Sequence, residues 1–405
     1  MRIPPWLRVA SALSVIGWGA NQFAPLLLVY RSHDHLSETR LTAIFAAYVI
    51  GLIPALLIGG RLATRVGHRA ILRPALVLGA ISSLVLAFGE QQTALLFVGR
   101  ILYGVTMGMA MAPATTWVKE LSTGRPAGTG ARRAATALSA GFCGGPLASG
   151  CLAEWLPAPA VLPYAVHIVL ITTIGALLWN APESPQQRGV PSAAAASEST
   201  PDANRQAAEG PRHTALTWHF WLRVAPMAPW VFTCASVSFV ILPTLMSASA
   251  GSFAIAFTGM MAGATLGVGV LVQQPARSIE ARHPGTATAL GMVAATVGVL
   301  LVVVIVGHRS IALTVVTVVV LGCGYGLNLV GGLTRIEHAA PPGDLALTNG
   351  VFYSLSYLGF FVPTVVSVLV GHWPEQVVLL GLAAVAAVTL VVAVAGQRAA
   401  RVIRH

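Results

Sequence analysis

Residues 41–73 read LTAIFAAYVIGLIPALLIGGRLATRVGHRAILR: twenty residues without a charge, then a stretch holding Arg61, Arg65, His68, Arg69 and Arg73. At about 1.5 Å per residue, twenty helical residues cover about 30 Å, the thickness of a bilayer's hydrocarbon core. An uncharged block of that length closing on a basic turn reads as a membrane helix and its anchor in the headgroup layer. The pattern repeats in both directions. Blocks of similar character lie at 9–30, 41–60, 74–89, 93–116, 134–153, 161–180, 224–244, 251–272, 286–306, 310–333, 346–370 and 376–396. Across all 405 residues the hydrophobic set reaches 56% while Asp, Glu, Lys and Arg together make 9%, against roughly 25% charged residues in soluble domains. The expected fold is an all-α polytopic membrane protein with twelve transmembrane helices. The first block carries Asn21 and Gln22 at mid-length and no small-residue cleavage signature before Arg31, so it reads as a retained helix and not as a signal peptide.

Only one joint is long. Residues 181–218 hold Pro182, Pro185, Pro191, Pro201, Pro211 and the run AAAASES, with no apolar periodicity, the composition of a tether. The expected organisation is a six-helix bundle over 1–180, a linker over 181–218 and a second six-helix bundle over 219–405. If the termini and every second joint share one side, that side receives twenty of the 24 Lys and Arg residues, and the other side only Arg31, Arg40 and Arg309. The bias places both termini and the tether in the cytoplasm. Usage rich in alanine and arginine and poor in lysine suggests a bacterial source, hence the inner (cytoplasmic) membrane. A net charge of +11 would raise nucleic-acid binding in a soluble chain; here the charges sit in the joints, and no nucleic acid is expected. Cys143, Cys151, Cys234 and Cys323 fall inside apolar blocks without ligand spacing, which argues against a metal site or a structural disulfide.

Polar residues inside the blocks are costly in lipid and therefore informative. Arg100, in GRILYGVTMGM, either faces a water-filled cavity, where it attracts an anion, a carbonyl or a proton carrier, or ties helices together. His167 either carries a proton or packs against a hydroxyl. Asn21, Gln22, Tyr103, Tyr325, Asn328, Asn349 and Tyr353 are candidates for lining a cavity or for bonding between helices. Asn349, Tyr353 and Tyr357 recur at i,i+4 on one face of the eleventh block. Asp34, just past the first block, is an acid within reach of a proton-coupling role. In GFCGGPLASG, Gly141 and Gly145 share a helix face that admits a close neighbour, and Pro146 withholds an N–H from the carbonyl of Phe142.

These stretches resemble the major facilitator superfamily, twelve-helix transporters with two six-helix halves. In the loop after the second block, Gly60, Leu62, Arg65, Gly67, His68 and Arg69 match a family pattern in which Thr64 takes the place of an aspartate. The resemblance implies a loop that latches one conformational state, here without the aspartate's ion pair. Arg100 and Gly104 match the fourth-span pattern associated with proton transfer or its control. Gly141, Gly145, Pro146 and Gly150 resemble the fifth-span pattern of drug/proton antiporters. The loop between the eighth and ninth blocks, QQPARSIEARH, keeps little of the first pattern.

No GxxxxGK[ST] segment is present, so no nucleotide cradle is expected, nor any cofactor or enzymatic activity. The resemblance implies alternating access, and the chain is expected to function as a monomer among membrane lipids. The leading expectation is proton-coupled efflux of small, largely apolar compounds. The alternatives are transport of a polar metabolite (a sugar or small organic anion) by symport, exchange or uniport, and a sensor or assembly partner that transports nothing. The span count predicts that reporter tags at Gly89 and in the 190s report opposite faces of the membrane; both reporting the same face would undo the topology.

Overall fold

The structure, a computed structural model, describes residues 3–33, 36–126, 128–183, 214, 217–341 and 344–402. All regular elements among them are helical. Most of the expected linker lies outside the described residues, and so does Asp34. The first span is Pro5–Asn21 continued by Phe23–His33; the next five are Glu38–Val66, His68–Ala87, Thr93–Glu120, Thr129–Trp155 and Leu162–Trp179. The seventh runs from Ala228–Ser236 through a π turn, Val237–Ile241, into Leu242–Ala250. Ala254–Arg282, Thr286–Gly307 and Ile311–Ala339 follow. The eleventh is Leu345–Tyr357, a 3₁₀ turn over Leu358–Phe361 and Val362–Val370; the twelfth is Glu375–Val402. Ten stretches among the described residues are long and apolar enough to cross a membrane. One of them, Phe220–Arg282, holds two crossings, and the glycine-rich Thr129–Trp155 completes the twelve.

Several helices run past the apolar blocks on the arginine-rich face. The second ends at Val66 instead of residue 60, and the eighth at Arg282 instead of 272. Apolarity marks where a helix crosses lipid, whereas the helix continues for as long as its backbone hydrogen bonds do.

Three spans are interrupted, each just before a proline. Pro25, Pro243 and Pro363 have no N–H to give to the carbonyls of Asn21, Phe239 and Gly359 four residues earlier, and the breaks fall at Gln22, Val237–Ile241 and Leu358–Phe361. In lipid the exposed carbonyls need partners from the protein. The Ser236 hydroxyl donates to Gly359 O (2.9 Å), and that of Ser149 to Gln22 O (2.7 Å). The fifth span instead remains one helix through Pro146.

The helices form two six-helix bundles with the same internal pairings. The first span crosses the fifth, with Gly141 against the Ser14 backbone and Gly145 against Trp18; the seventh correspondingly crosses the eleventh, with Gly359 against Pro229. The second span crosses the fourth at Gly104, which abuts the Tyr48 carbonyl, and the eighth crosses the tenth at Gly322, which abuts Thr265. Large apolar side chains left exposed, such as Val77, Val169, Val297 and Val388, lie on the third, sixth, ninth and twelfth spans, which form the lipid-facing rim. The bundles meet along two seams, fifth span with eighth and second with eleventh.

The crossing at Gly104 leaves no room for a methyl, while Gly381 has open space around it. Gly104→Ala should lower the thermal-unfolding midpoint of detergent-purified protein, at a cost of about 1–3 kcal/mol. Gly381→Ala should leave it unchanged or slightly higher; equal behaviour of the two would contradict the packing described.

Candidate functional site

Between the bundles lies a cavity of about 480 Å³, within the range of small-molecule sites. The first bundle lines it with Leu56, Leu57 and Gly60 of the second span, Met111, Ala112, Thr115 and Lys119 of the fourth, and Ala131 to Phe142 positions of the fifth that include Ser139. The second bundle contributes Leu266, Val270, Gln273 and Arg277 of the eighth span, Tyr325, Leu329, Val330 and Leu333 of the tenth, and Leu347, Asn349, Gly350 and Tyr353 of the eleventh. Most of these are the ends of helices on the arginine-rich face, so the cavity opens there. Its walls are largely apolar, with Phe142, Tyr325 and Tyr353 as aromatic surfaces and Thr115, Ser139, Gln273 and Asn349 as polar points. Among the described residues lining it, Lys119 and Arg277 are the charged ones, and both are exposed to solvent. The Oδ1 atom of Asn349 is buried without a hydrogen bond, an acceptor awaiting a donor.

Toward the opposite face the cavity ends in a plug of aromatic rings drawn from both bundles. Phe45 of the second span meets Phe360 edge-on with centroids 5.1 Å apart and Phe239 at 6.0 Å. Tyr357 stacks on Phe232 at 4.3 Å and meets Tyr48 at 6.3 Å. Beyond the plug, Ser367 of the eleventh span bonds with Thr42 (3.1 Å) and Thr39 (3.3 Å) of the second. On the other seam, the Glu154 carboxylate accepts from the backbone N–H groups of Ile255 (2.9 Å) and Ala256 (3.0 Å). The molecule is therefore open on the arginine-rich face and shut on the other.

Of the candidates read from sequence, Gly60, Tyr325, Asn349 and Tyr353 line the cavity. Arg100 does not. It is fully buried inside the first bundle, donating to Ala20 O (3.2 Å) and Phe45 O (2.9 Å), with its guanidinium 4.7–5.4 Å from the rings of Phe23, Phe45 and Tyr48. This joins the first, second and fourth spans. His167 is equally enclosed: Nδ1 lies 2.8 Å from the Ser83 hydroxyl, and Nε2 3.1 Å from Val15 O and 3.2 Å from the Tyr103 hydroxyl. Since Val15 O can only accept, Nε2 carries the proton and Nδ1 accepts from Ser83. Tyr103 itself donates to Ile16 O. Asn21 is half-buried at the first break, beside buried Gln22. The amides of Gln22 and of Asn328, which packs on Gly291, make no hydrogen bond.

In the loop after the second span, Gly67 takes φ 93°, the left-handed region that glycine enters without cost. Here the loop is fastened without an aspartate. His68 Nε2 lies 3.1 Å from a Glu120 carboxylate oxygen, with its ring over Trp117. Arg69 donates to Ala181 O and Arg73 to Trp179 O, at the end of the sixth span. Arg65 is exposed, and the Thr64 side chain lies outside the described residues. In the equivalent loop of the second bundle, Glu280 accepts from the N–H groups of Gly285 (2.6 Å) and Ala287 (2.8 Å) and so caps the ninth span. On the fifth span, Gly141 and Gly145 serve the contact with the first span, whereas Pro146 and Gly150 meet Gly259 of the eighth.

Sequence reasoning missed Lys119, Arg277, Gln273, the aromatic plug and the Glu154 contact. The signal for Gln273 and Arg277 was present: Leu266, Val270, Gln273 and Arg277 recur at helical spacing, so extending the eighth helix by ten residues would have put both on one face.

Compared with known proteins, the chain matches the profile described as Major Facilitator Superfamily over residues 9–364. It is 31% identical over 118 residues to the 3-(3-hydroxy-phenyl)propionate transporter of Escherichia coli (strain K12), a stretch spanning 29% of this chain and 27% of that protein. The solved nucleoside transporter NupG superposes with a TM-score of 0.70 at 15% identity, covering 98% of this chain and 99% of that one. The D-xylose–proton symporter does so with a TM-score of 0.70 at 15% identity and 95% coverage of both. The inward-open xylose transporter XylE from E. coli gives 0.66 at 15%, covering 95% of this chain and 94% of that one. At such identities these structures speak for the fold alone.

The enclosure of Arg100 predicts a structural cost when it is changed. Arg100→Gln leaves at least one buried carbonyl unpaired, a loss of about 1–3 kcal/mol, and should appear as a clear drop in the thermal-unfolding midpoint. Arg65→Gln, on an exposed residue, should change the midpoint little.

Proposed function

The chain belongs to the major facilitator superfamily, and from that premise we propose that it is a secondary transporter carrying a small organic anion with an apolar, ring-sized body. The observation that carries this reading is the charge of the cavity: among the described residues, those lining it carry charge only at Lys119 and Arg277, while the Glu337 carboxylate acts on Tyr353 from outside the lining. A cleft of one sign concentrates counter-ions and speeds their capture. The apolar walls with Phe142, Tyr325 and Tyr353 suit a ring, and the polar points fix its orientation. The transporter of a hydroxyphenylpropionate, related over part of its length, agrees with this choice. The comparisons favour a polar substrate over the apolar efflux expected from the fifth-span motif.

The basic bias supports a cytoplasmic arginine-rich face, which makes the conformation inward-open, with both termini and the tether inside. Substrate then enters and leaves by rocking of the bundles about the two seams. The cations sit near the mouth and the polar points deeper, so capture comes first and specific recognition second. No acid is among the described residues lining the cavity, and a driving pH gradient is read out by the same assay that tests the substrate.

Flux of a radiolabelled aromatic carboxylate into proteoliposomes, with and without an imposed pH gradient, tests the proposal. Uptake saturable by carboxylates but not by xylose is expected. Lys119→Gln and Arg277→Gln should each raise KM about fivefold, as for an exposed charge contact near 1 kcal/mol, and the difference should shrink at high salt. Stimulation by the gradient marks proton linkage; equal flux without it marks uniport or exchange. Absence of flux across a carboxylate panel would overturn the reading in favour of a membrane protein that does not transport such anions.

A further inference from the structure

Glu154 lies at the end of the fifth span on the shut face, and its carboxylate bonds two backbone N–H groups, Ile255 at 2.9 Å and Ala256 at 3.0 Å. These belong to the first turn of the eighth span, where N–H groups have no partner within the helix and the helix dipole is positive. A carboxylate of one bundle thus caps a helix of the other. Next to it the same two helices are in close contact, with Gly150 3.1 Å from Gly259 by the position a Cβ would take, and Trp155 near Phe253 with centroids 6.4 Å apart. Further along, they part: residues 131–142 of the fifth span and 266–277 of the eighth face each other across the cavity. The pair forms a V with its vertex at Gly150–Gly259 and Glu154 beyond the vertex.

Opening the shut face requires that V to invert, and inversion separates Glu154 from Ile255 and Ala256. We propose that Glu154 is a state-specific latch of the transport cycle: its negative charge, held on the eighth helix's N-terminus, stabilises the conformation open on the arginine-rich face. Charge matters because hydrogen bonds to an ionised acceptor are about twice as strong as neutral ones and because the helix N-terminus favours an anion. The neutral contact of Ser367 with Thr39 and Thr42 closes the second seam more weakly. The inference rests on the alternating-access reading given above, and its test reads conformation without any substrate.

Spin labels in full-length protein, with the four native cysteines replaced by alanine, report the two faces. One pair is Leu156→Cys with Ser252→Cys on the shut face; the other is Arg125→Cys with Ser278→Cys on the open face. Glu154→Gln should raise the population with the first pair apart and the second pair close by about fivefold or more, the scale of a lost charge-assisted bond. Glu154→Asp should shift it less, and Ser367→Ala less than Glu154→Gln. If Glu154→Ala proves unstable by thermal unfolding, the isosteric glutamine variant decides. Distances in Glu154→Gln indistinguishable from those of the unsubstituted protein would overturn the latch even while the protein still moves solute. Shifted distances in a protein that carries no carboxylate would uphold the latch and refute the substrate reading.

Discussion

A backbone carbonyl exposed in lipid has no water to turn to, and the buried polar chemistry of this protein follows largely from that constraint. The prolines that break the first and eleventh spans release carbonyls, and hydroxyls from neighbouring helices collect the carbonyls at those breaks: Ser149 takes Gln22 O and Ser236 takes Gly359 O. Ser82 donates to Gly99 O, Tyr103 to Ile16 O, and Arg100 to Ala20 O and Phe45 O. Each bond crosses between helices, so each also fixes a crossing. Stability and shape share one set of side chains, and the interruptions that allow bending are held by contacts that keep them from collapsing.

The same constraint explains what the sequence could and could not tell. The helical class and the number of spans depend on hydropathy, a quantity that adds along the chain and survives errors of several residues. The role of a polar residue in a span is different, because a cavity and an orphan carbonyl both call for a donor. Arg100 and Asn349 looked alike as intramembrane polar groups. One is locked between two carbonyls and three rings; the other presents an unbonded oxygen in a cavity wall. Only the neighbours on other helices separate them. Lys119 and Arg277 escaped notice for the opposite reason, since cations at the end of an apolar block look like ordinary membrane anchors until the helices are seen to flank an opening.

The two halves repeat a packing scheme without repeating its chemistry. Gly104 and Gly322 make equivalent crossings, each against a backbone carbonyl region of the partner helix. The turns after the second and eighth spans are fastened in unlike ways, by His68, Arg69 and Arg73 in one half and by Glu280 on the ninth helix's N-terminus in the other. Sequence comparison of the halves finds little because what is conserved between them is a distance between backbones. A small residue supplies that distance, and the fastening of the turn can be solved by any group that satisfies its exposed N–H or carbonyl atoms.

The placement of charge follows from the same geometry. The helices of the fifth–eighth seam are in contact at one end and separate at the other, so one end can hold a half-buried carboxylate on a helix terminus while the other keeps Arg277 in water. A carboxylate within the cavity would neutralise the cations that draw an anion in, and a cation at the vertex would be repelled by the eighth helix's N-terminus. Exchanging the two signs would therefore weaken both the sealed end and the open one. With Glu154 beyond the vertex and Lys119 and Arg277 at the mouth, opposite charges stand at opposite ends of the seam, and an anion reaching the mouth meets the cations first.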